Sequence, residues 1–243
     1  MVPRTLPEPE VSVRYPRDGS RSIPLGRLLL ADFEGSVPWR VFRSRHGQAH
    51  LSGSYWAATT GGHVVYESRL ELARLLLADF DPEVTSVYAQ PCLLAGVAGG
   101  RARRHVPDFL LGLRGGTVRV VNVKPAGRLA DPKIAEALAW PGELFRAHGW
   151  DYQVWSGEDP VVLDNVRFLA GYRRPSVISA EGVARAWESV RDGEQLAAAE
   201  YRLAGGNPPH TARPALLALL WSGRLVTDLS RVLSGSSVLS RRG

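Results

Sequence analysis

The stretch RRHVPDFLLGLRGGTVRVVNVKP, residues 103–125, decides how the rest of the chain is read. Two apolar runs flank the pair Gly115-Gly116. The second run alternates, with Val118, Val120, Asn122 and Lys124 on one face and Thr117, Arg119, Val121 and Val123 on the other. This pattern predicts strands over 103–113 and 117–124 joined as an antiparallel hairpin. With the turn centred on 114–116, Asp108 falls opposite roughly 121–123, beside Asn122 and Lys124. A slip of one residue would carry it to the other face. Pro107-Asp108 is expected within the first strand and Lys124 at the end of the second.

Upstream, YESRLELARLLLAD (66–79) is built from strong helix formers and stops at Asp79-Phe80-Asp81-Pro82, where proline disfavours helix at Asp81. Strand-like runs follow at 84–90 and 92–97, with a turn at Gly99-Gly100. Downstream, Asp131 as N-cap and Pro132 at the first helical position predict a helix to about His148, kinked at Trp140-Pro141-Gly142. A short strand at 151–156 closes the block. Helix, antiparallel strands, helix, strand reads as a mixed α/β domain over 61–156. Residues 1–60, with prolines at 3, 7, 9, 16, 24 and 38, read as an irregular Pro/Arg-rich arm. Short strands are expected there at 37–43 and near Tyr55-Trp56. His46 and His50 have a helical metal-ligand spacing, but Gly47 and the surrounding Ser, Gly and Arg argue against a helix. Over 157–243, helical periods at 160–173, 179–191 (behind a Ser179 cap), 194–203 and 214–222 precede a β-like RLVTDL and a Ser/Gly/Arg tail. Helices and then a small hairpin is the order of a winged-helix module, expected to fold alone. A helical subdomain without DNA contact is the alternative. Trp187, Leu217, Leu220 and Trp221 are its candidate docking residues if exposed.

Composition bounds the classes. The 243 residues are enough for a sizeable core without staples, and 44% apolar with 22% charged residues excludes a wholly disordered chain. No run of 18 apolar residues occurs, and the N-terminal residues MVPRTLPEPE lack the apolar stretch of a secretory signal. One cysteine, Cys92, excludes a disulfide framework and reads as a small core hydrophobe; a cytoplasmic protein is expected. The net charge of +6 suits a polyanionic partner but does not demand one. All but two of the 30 basic residues are Arg. Lys124 and Lys133 therefore stand where a compact ammonium, whose pKa burial can lower, was retained in an Arg-rich chain.

The familiar phosphate loop, zinc-protease, serine-hydrolase and dinucleotide-binding motifs are absent from the sequence. What remains is Glu71 on a helix, Pro107-Asp108 on a strand and Asn122-Val123-Lys124 on its neighbour. A carboxylate beside a lysine that follows a polar residue by two is the PD-(D/E)xK arrangement. Phosphodiester hydrolysis needs a hard divalent cation with oxygen ligands, which Glu71, Asp108 and the Val123 carbonyl would supply. It also needs an oriented water made more acidic, a task for Lys124 beside the metal. A PD turn or a strand-end lysine alone is commonly structural.

The runs ESRLELARLLLADFDPEVTSVYAQPCLL (67–94), RRHVPDFLL (103–111) and VVNVKP (120–125) together resemble the TnsA-type endonuclease subunit of heteromeric transposases. The hallmarks are a Ser-x-Leu-Glu helix, an acidic-Pro-Val segment, a Gln-Pro strand, a PDF strand and a final xVKP strand. They appear in order over 66–125, with weaker likeness through 156, and the helical tail is similar to that of actinobacterial members. The resemblance implies a restriction-endonuclease-like core that hydrolyses one strand of double-stranded DNA at transposon ends. It implies Mg²⁺ as cofactor (one or two ions, with Mn²⁺ substituting), a DDE-type transposase subunit as partner, an AAA+ regulator as a third component, and no membrane. The family's helix glutamate falls on Glu71, its aspartate on Asp108 and its lysine on Lys124; the polar position, often Asp or Gln, is Asn122, which brings no charge. Glu67, one turn before Glu71, is the alternative ligand. Gln90 pairs with backbone near the site or acts as a supporting partner behind it. His105 has a structural place beside the PD pair, with an approach to DNA as its alternative. Arg101, Arg103 and Arg104 form either a DNA phosphate-contact patch or a solvated edge. Two other readings stay open: a catalytically inert DNA-binding or assembly subunit, and a stand-alone repair or defence nuclease.

Overall fold

The computed structural model describes residues 8–40 and 52–242. His46, His50 and the part of the expected 37–43 strand beyond Arg40 lie outside the described residues. The protein is mixed α/β and divides into two compact units, one of residues 1–75 with 83–157, the other of 76–82 with 158–243. Among the described residues no helix is long and apolar enough to cross a membrane.

The stretch expected as an irregular arm instead begins with two strands, β1 (Glu10–Tyr15) and β2 (Gly19–Pro24), paired as an antiparallel hairpin. The reason is local. Val11 and Val13 alternate inward and are fully buried, while Pro9, Pro16 and Pro24 sit beside or at the ends of the strands, where a missing N–H is tolerated. Gly19, at φ 73°, takes the left-handed turn conformation that glycine adopts without strain. Residues 37–40 form no strand. A second hairpin, β3 (Gly53–Ala57) with β4 (Gly62–Tyr66), contains Tyr55-Trp56.

Helix α1 (Arg69–Phe80) follows, then β5 (Val84–Ala89), β6 (Cys92–Ala98), β7 (Arg101–His105), β8 (Phe109–Leu113), β9 (Val118–Val123), α2 (Pro132–Ala147) and β10 (Asp151–Trp155). The Asp131 side chain accepts from the Lys133 N–H as the expected cap, and α2 runs on through Pro141. The single strand expected over 103–113 is two strands. Pro107 lacks an N–H and fixes φ, so the ladder breaks at Val106-Pro107-Asp108, and the halves join different sheets. One sheet has the order β2-β1-β6-β7, the other β10-β9-β8-β5, with β10 parallel to β9 and the other pairs antiparallel. The chain passes between sheets at Gln90-Pro91 and again at Val106-Pro107-Asp108. The Gln90 N–H donates to the Asp108 carbonyl at 2.8 Å, so the two crossings lie side by side. One apolar core joins the sheets and α2, with Val11, Val13, Phe33, Cys92 and Leu94 against Leu110, Val118, Val120, Phe145 and Tyr152.

In the other unit, α3 (Pro160–Leu169), α4 (Ala180–Ser189), α5 (Leu196–Ala204) and α6 (Arg213–Trp221) precede a short antiparallel pair, β11 (Leu225–Val226) with β12 (Ser240–Arg241). Asp159 and Ser179 cap α3 and α4 through their side chains. Leu217, Leu220 and Trp221 are buried in the unit's own core, and Trp187 is covered by the Arg224 and Arg241 guanidinium groups, so none is an open docking face. Residues 76–82 group with this unit, where the Phe80 ring packs at 5.3 Å from that of Trp221.

Candidate active site

Asp108 is the residue around which the site is built. Its N–H donates to the Val121 carbonyl at 3.1 Å, and Phe109 pairs with Val121, so one step back Asp108 stands opposite Asn122. Its Oδ2 accepts the Val123 N–H at 2.6 Å and lies 3.8 Å from Lys124 Nζ. Lys124 is at the end of the central strand β9, where its N–H donates to the Trp155 carbonyl at 3.0 Å and continues the parallel ladder. Strand ends of this kind deliver a side chain to the rim of a sheet while the preceding residues stay buried.

Glu71 comes from the first turn of α1. Its N–H donates to Ser68 Oγ at 3.1 Å, and its carboxylate accepts from the Glu67 N–H at 2.7 Å and from Ser68 Oγ at 3.1 Å. This is a Ser-x-x-Glu capping box, shifted by one residue on the return bond. The sequence carries this signature in Ser68-Arg69-Leu70-Glu71, and it gives Glu71 a structural task beside any chemical one. Burial raises the Glu71 carboxyl above its ordinary value, the Glu67 N–H opposes that, and the charge on Asp108 adds to it. Burial likewise raises Asp108, against the Lys124 ammonium and the Val123 N–H. Two desolvated carboxylates thus feel one another at this spot, with a lysine beside one of them. Glu67 also acts on both, but its own carboxylate is paired with Arg40, at 3.2 Å.

Asn122 is 1% exposed, and its Oδ1 lies 2.7 Å from His105 Nε2. An amide oxygen accepts only, so Nε2 carries the proton. Burial pushes His105 down to about 4, helped by the Lys124 and Arg40 charges and opposed by the Asn122 bond, so it is neutral at pH 7. His105 is thus bonded to Asn122 and only partly buried. Gln90 is 3% exposed and is the one described non-glycine residue with positive φ, 45°. Its backbone is held on both sides, by the Asp108 carbonyl and by the Trp39 N–H at 2.8 Å, while its Oε1 is buried with no hydrogen-bond partner. A buried acceptor left open so close to the Asp108 backbone is suited to a water or cation-bound water.

The three arginines do not form one patch. Arg101 and Arg103 share a face of the edge strand β7 and Arg104 lies on the other; Arg103 is paired with Glu136, while Arg101 and Arg104 are exposed. Arg40 carries no sequence signal and was missed. Trp39, beside it, is tied to Gln90, and Arg40 is near enough to lower the pKa of both Asp108 and His105.

The donor set suits a hard cation. Glu71 and Asp108 offer carboxylate oxygens whose charge burial leaves poorly compensated, and the Val123 carbonyl stands on β9 between Asn122 and Lys124. No third His, Cys, Asp or Glu among the described residues joins them in ligand spacing. Mg²⁺ is commonly bound this way, by one or two carboxylates with water and substrate phosphate completing the shell. Compared with known proteins, the chain matches no protein-family profile and no curated protein.

Proposed function

We propose that the chain is a Mg²⁺-dependent DNA endonuclease with a restriction-endonuclease-like PD-(D/E)xK core and a C-terminal winged-helix-like module, acting as the TnsA-type strand-cleaving subunit of a heteromeric transposase. The observation that supports this reading is Asp108 at a sheet crossing, with Lys124 Nζ 3.8 Å away at a strand end and the Asp108 charge acting on the buried Glu71 carboxyl at a helix start. Glu71, Asp108 and the Val123 carbonyl would hold the cation, which when bound would supply Lewis-acid stabilisation of charge at the scissile phosphate and a more acidic water. Lys124 donates to the attacking water or to a phosphate oxygen and keeps the carboxylate cluster from repelling the polyanion. Asp108, fixed by the Val123 N–H, accepts from the water and orients it for in-line attack. Asn122 and His105 act behind them by holding the end of β9. A DDE-type transposase subunit, with an AAA+ regulator, delivers the DNA.

A second reading, an inert DNA-binding or assembly subunit, draws on Asn122, which supplies an amide where an acid would add charge. The two part in a pair of measurements on the full chain. Nicking of supercoiled plasmid in Mg²⁺ or Mn²⁺ should fall at least a hundredfold in Asp108→Ala and strongly in Lys124→Arg, whose planar guanidinium is a poor proton donor. Mn²⁺ binding, read by electron paramagnetic resonance, should weaken in Asp108→Ala. Metal binding without cleavage in the presence of DNA and the partner subunit favours the inert reading; neither activity in the wild type sinks the nuclease.

A further inference from the structure

The Arg40 guanidinium, from the N-terminal segment and outside all the motifs that mark the site, pairs with Glu67 and lies near enough to Asp108 and His105 for its charge to act on both. Its placement is backbone work. The Val37 N–H donates to the Arg14 carbonyl of β1 at 2.9 Å, Arg14 Nη1 donates to the Trp39 carbonyl at 3.2 Å, and the Trp39 N–H donates to the Gln90 carbonyl at 2.8 Å. Gln90 in turn donates to the Asp108 carbonyl. Two backbone hydrogen bonds thus connect the residue beside Arg40 to the residue at the centre of the site. The guanidinium is 53% exposed, and among the described residues its one partner is Glu67, through Nη1 at 3.2 Å. An arginine has five N–H donors in a planar fork that matches phosphate oxygens. Pairing with one half-buried carboxylate through Nη1 leaves most of that fork without a partner among the described residues, near enough to Asp108 for its charge to act on that carboxyl.

We propose that Arg40 is a phosphate-contacting residue of this site, gripping the DNA backbone next to the bond over Asp108 and Lys124, with Glu67 holding the guanidinium in place until DNA arrives. This rests on the DNA-cleavage reading, which it extends to a residue from the N-terminal segment. A phosphodiester in that position turns a one-carboxylate ion pair into a shared arrangement: the phosphate takes the outer N–H groups and Glu67 keeps Nη1. Glu67 is then a positioning residue, and its engagement with Arg40 leaves the ligand role to Glu71. The bland alternative is that Arg40 serves only to tie residues 37–40 to the start of α1. The two differ in a quantity that folding does not move, the salt dependence of DNA affinity. Removing one cation from a DNA phosphate reduces the slope of log affinity against log salt by about 0.9.

The test is a fluorescence-anisotropy titration of the full chain with a duplex of about 30 base pairs in EDTA, at four salt concentrations, alongside thermal denaturation. Arg40→Ala should reduce the slope by about one and weaken binding roughly tenfold at low salt. Arg40→Lys should keep the slope, because the charge remains, and Glu67→Gln should keep it too while lowering the melting temperature as much as Arg40→Ala does. An Arg40→Ala slope equal to that of the wild type overturns the contact, whatever its melting temperature. Wild-type binding that is absent, or insensitive to salt, overturns it together with the DNA-cleavage reading. Normal salt-sensitive binding and an Asp108-dependent nick, with an unchanged Arg40→Ala slope, overturn the Arg40 contact alone.

Discussion

At the scale of single residues, His105 carries the clearest thermodynamic signature. In the unfolded chain it titrates near its ordinary value of 6.5, whereas in the fold burial pushes it down to about 4. Between those values the unfolded state holds a proton that the native state refuses. Stability is therefore full above about pH 6.5 and is lost as the pH falls towards 4. The whole interval is worth roughly 3 kcal/mol, at about 1.4 kcal/mol per pH unit. Glu71 and Asp108, raised by burial, act in the opposite sense: they take up protons in the fold before they do when unfolded, so acidification relieves their cost. His105→Gln keeps a side-chain N–H donor for Asn122 and removes the titration. Urea denaturation at pH 7 and pH 4.5 should show the wild type losing about 2 kcal/mol more than this variant across the interval. Equal losses would mean that His105 is solvated in the native state. Of the site residues, Asp108 and Lys124 were legible in the sequence because register arithmetic over a tight turn brings them together. The His105–Asn122 contact was not, because it joins strands of different sheets, and a strand's alternation does not say which sheet it will join.

At the scale of elements, α1 begins where two demands meet on one carboxylate. Ser68 and Glu71 close the first turn, and the same Glu71 is the candidate cation ligand. Substitutions separate these tasks. Ser68→Ala removes a cap and should cost about 1 kcal/mol, a fall of a few degrees in melting temperature, with nicking within a few-fold of wild type. Glu71→Gln retains the reciprocal cap, since glutamine serves in a capping box, and removes a buried charge. It should melt no lower than wild type at pH 7 yet lose Mg²⁺-dependent nicking. A Glu71→Gln protein that nicks normally would move the ligand role elsewhere, to Glu67 first. The Ser-x-x-Glu signature stands in the sequence before an apolar run, although the helix was expected from residue 66, and the caps of α2, α3 and α4 are of the same local kind. β1 and β2 were obscured by the prolines around them, because proline density signals irregularity only when it falls inside a repeat, and here it falls at the ends.

At the scale of the whole molecule, the unit containing 158–243 also contains residues 76–82, the last part of α1 and the turn after it. An excised 157–243 fragment would lack Phe80 against Trp221, which removes the ground for expecting it to fold as well alone. Within that unit a buried side chain ties down residues 229–233 of the connection between β11 and β12, whose later part bonds through backbone to residues 193–197. Asn165, 6% exposed, donates from Nδ2 to the Leu229 and Arg231 carbonyls at 2.9 and 2.7 Å and accepts the Leu233 N–H at 2.9 Å. Asn165→Ala leaves three backbone groups to find new partners and should cost about 3 kcal/mol in equilibrium unfolding of the full chain. Asn165→Asp keeps the acceptor, loses both donations and should be at least as damaging. A loss under about 1 kcal/mol for Asn165→Ala would show that water replaces these bonds readily.

Helix starts, hairpin turns and the Asp108–Lys124 register were legible in the amino-acid order. The groups concerned are a few residues apart or face each other across one tight hairpin, and the physics that joins them acts between near neighbours or in register across one turn. A cap needs a hydroxyl three residues before a carboxylate; a hairpin needs alternation on both sides of glycine. The break at Pro107 was written in the sequence too, but its consequence was not: proline ends a ladder, while the choice of a second sheet for β8 depends on which exposed strand edges and apolar faces remain to be covered. Arg40 marks the furthest limit. Nothing near it in the chain announces a site residue, and its place beside Glu67 follows from hydrogen bonds that run from β1 through Trp39 and Gln90 to Asp108. Those partners are brought together by burial of the shared core, a long-range and non-directional force that no local pattern records.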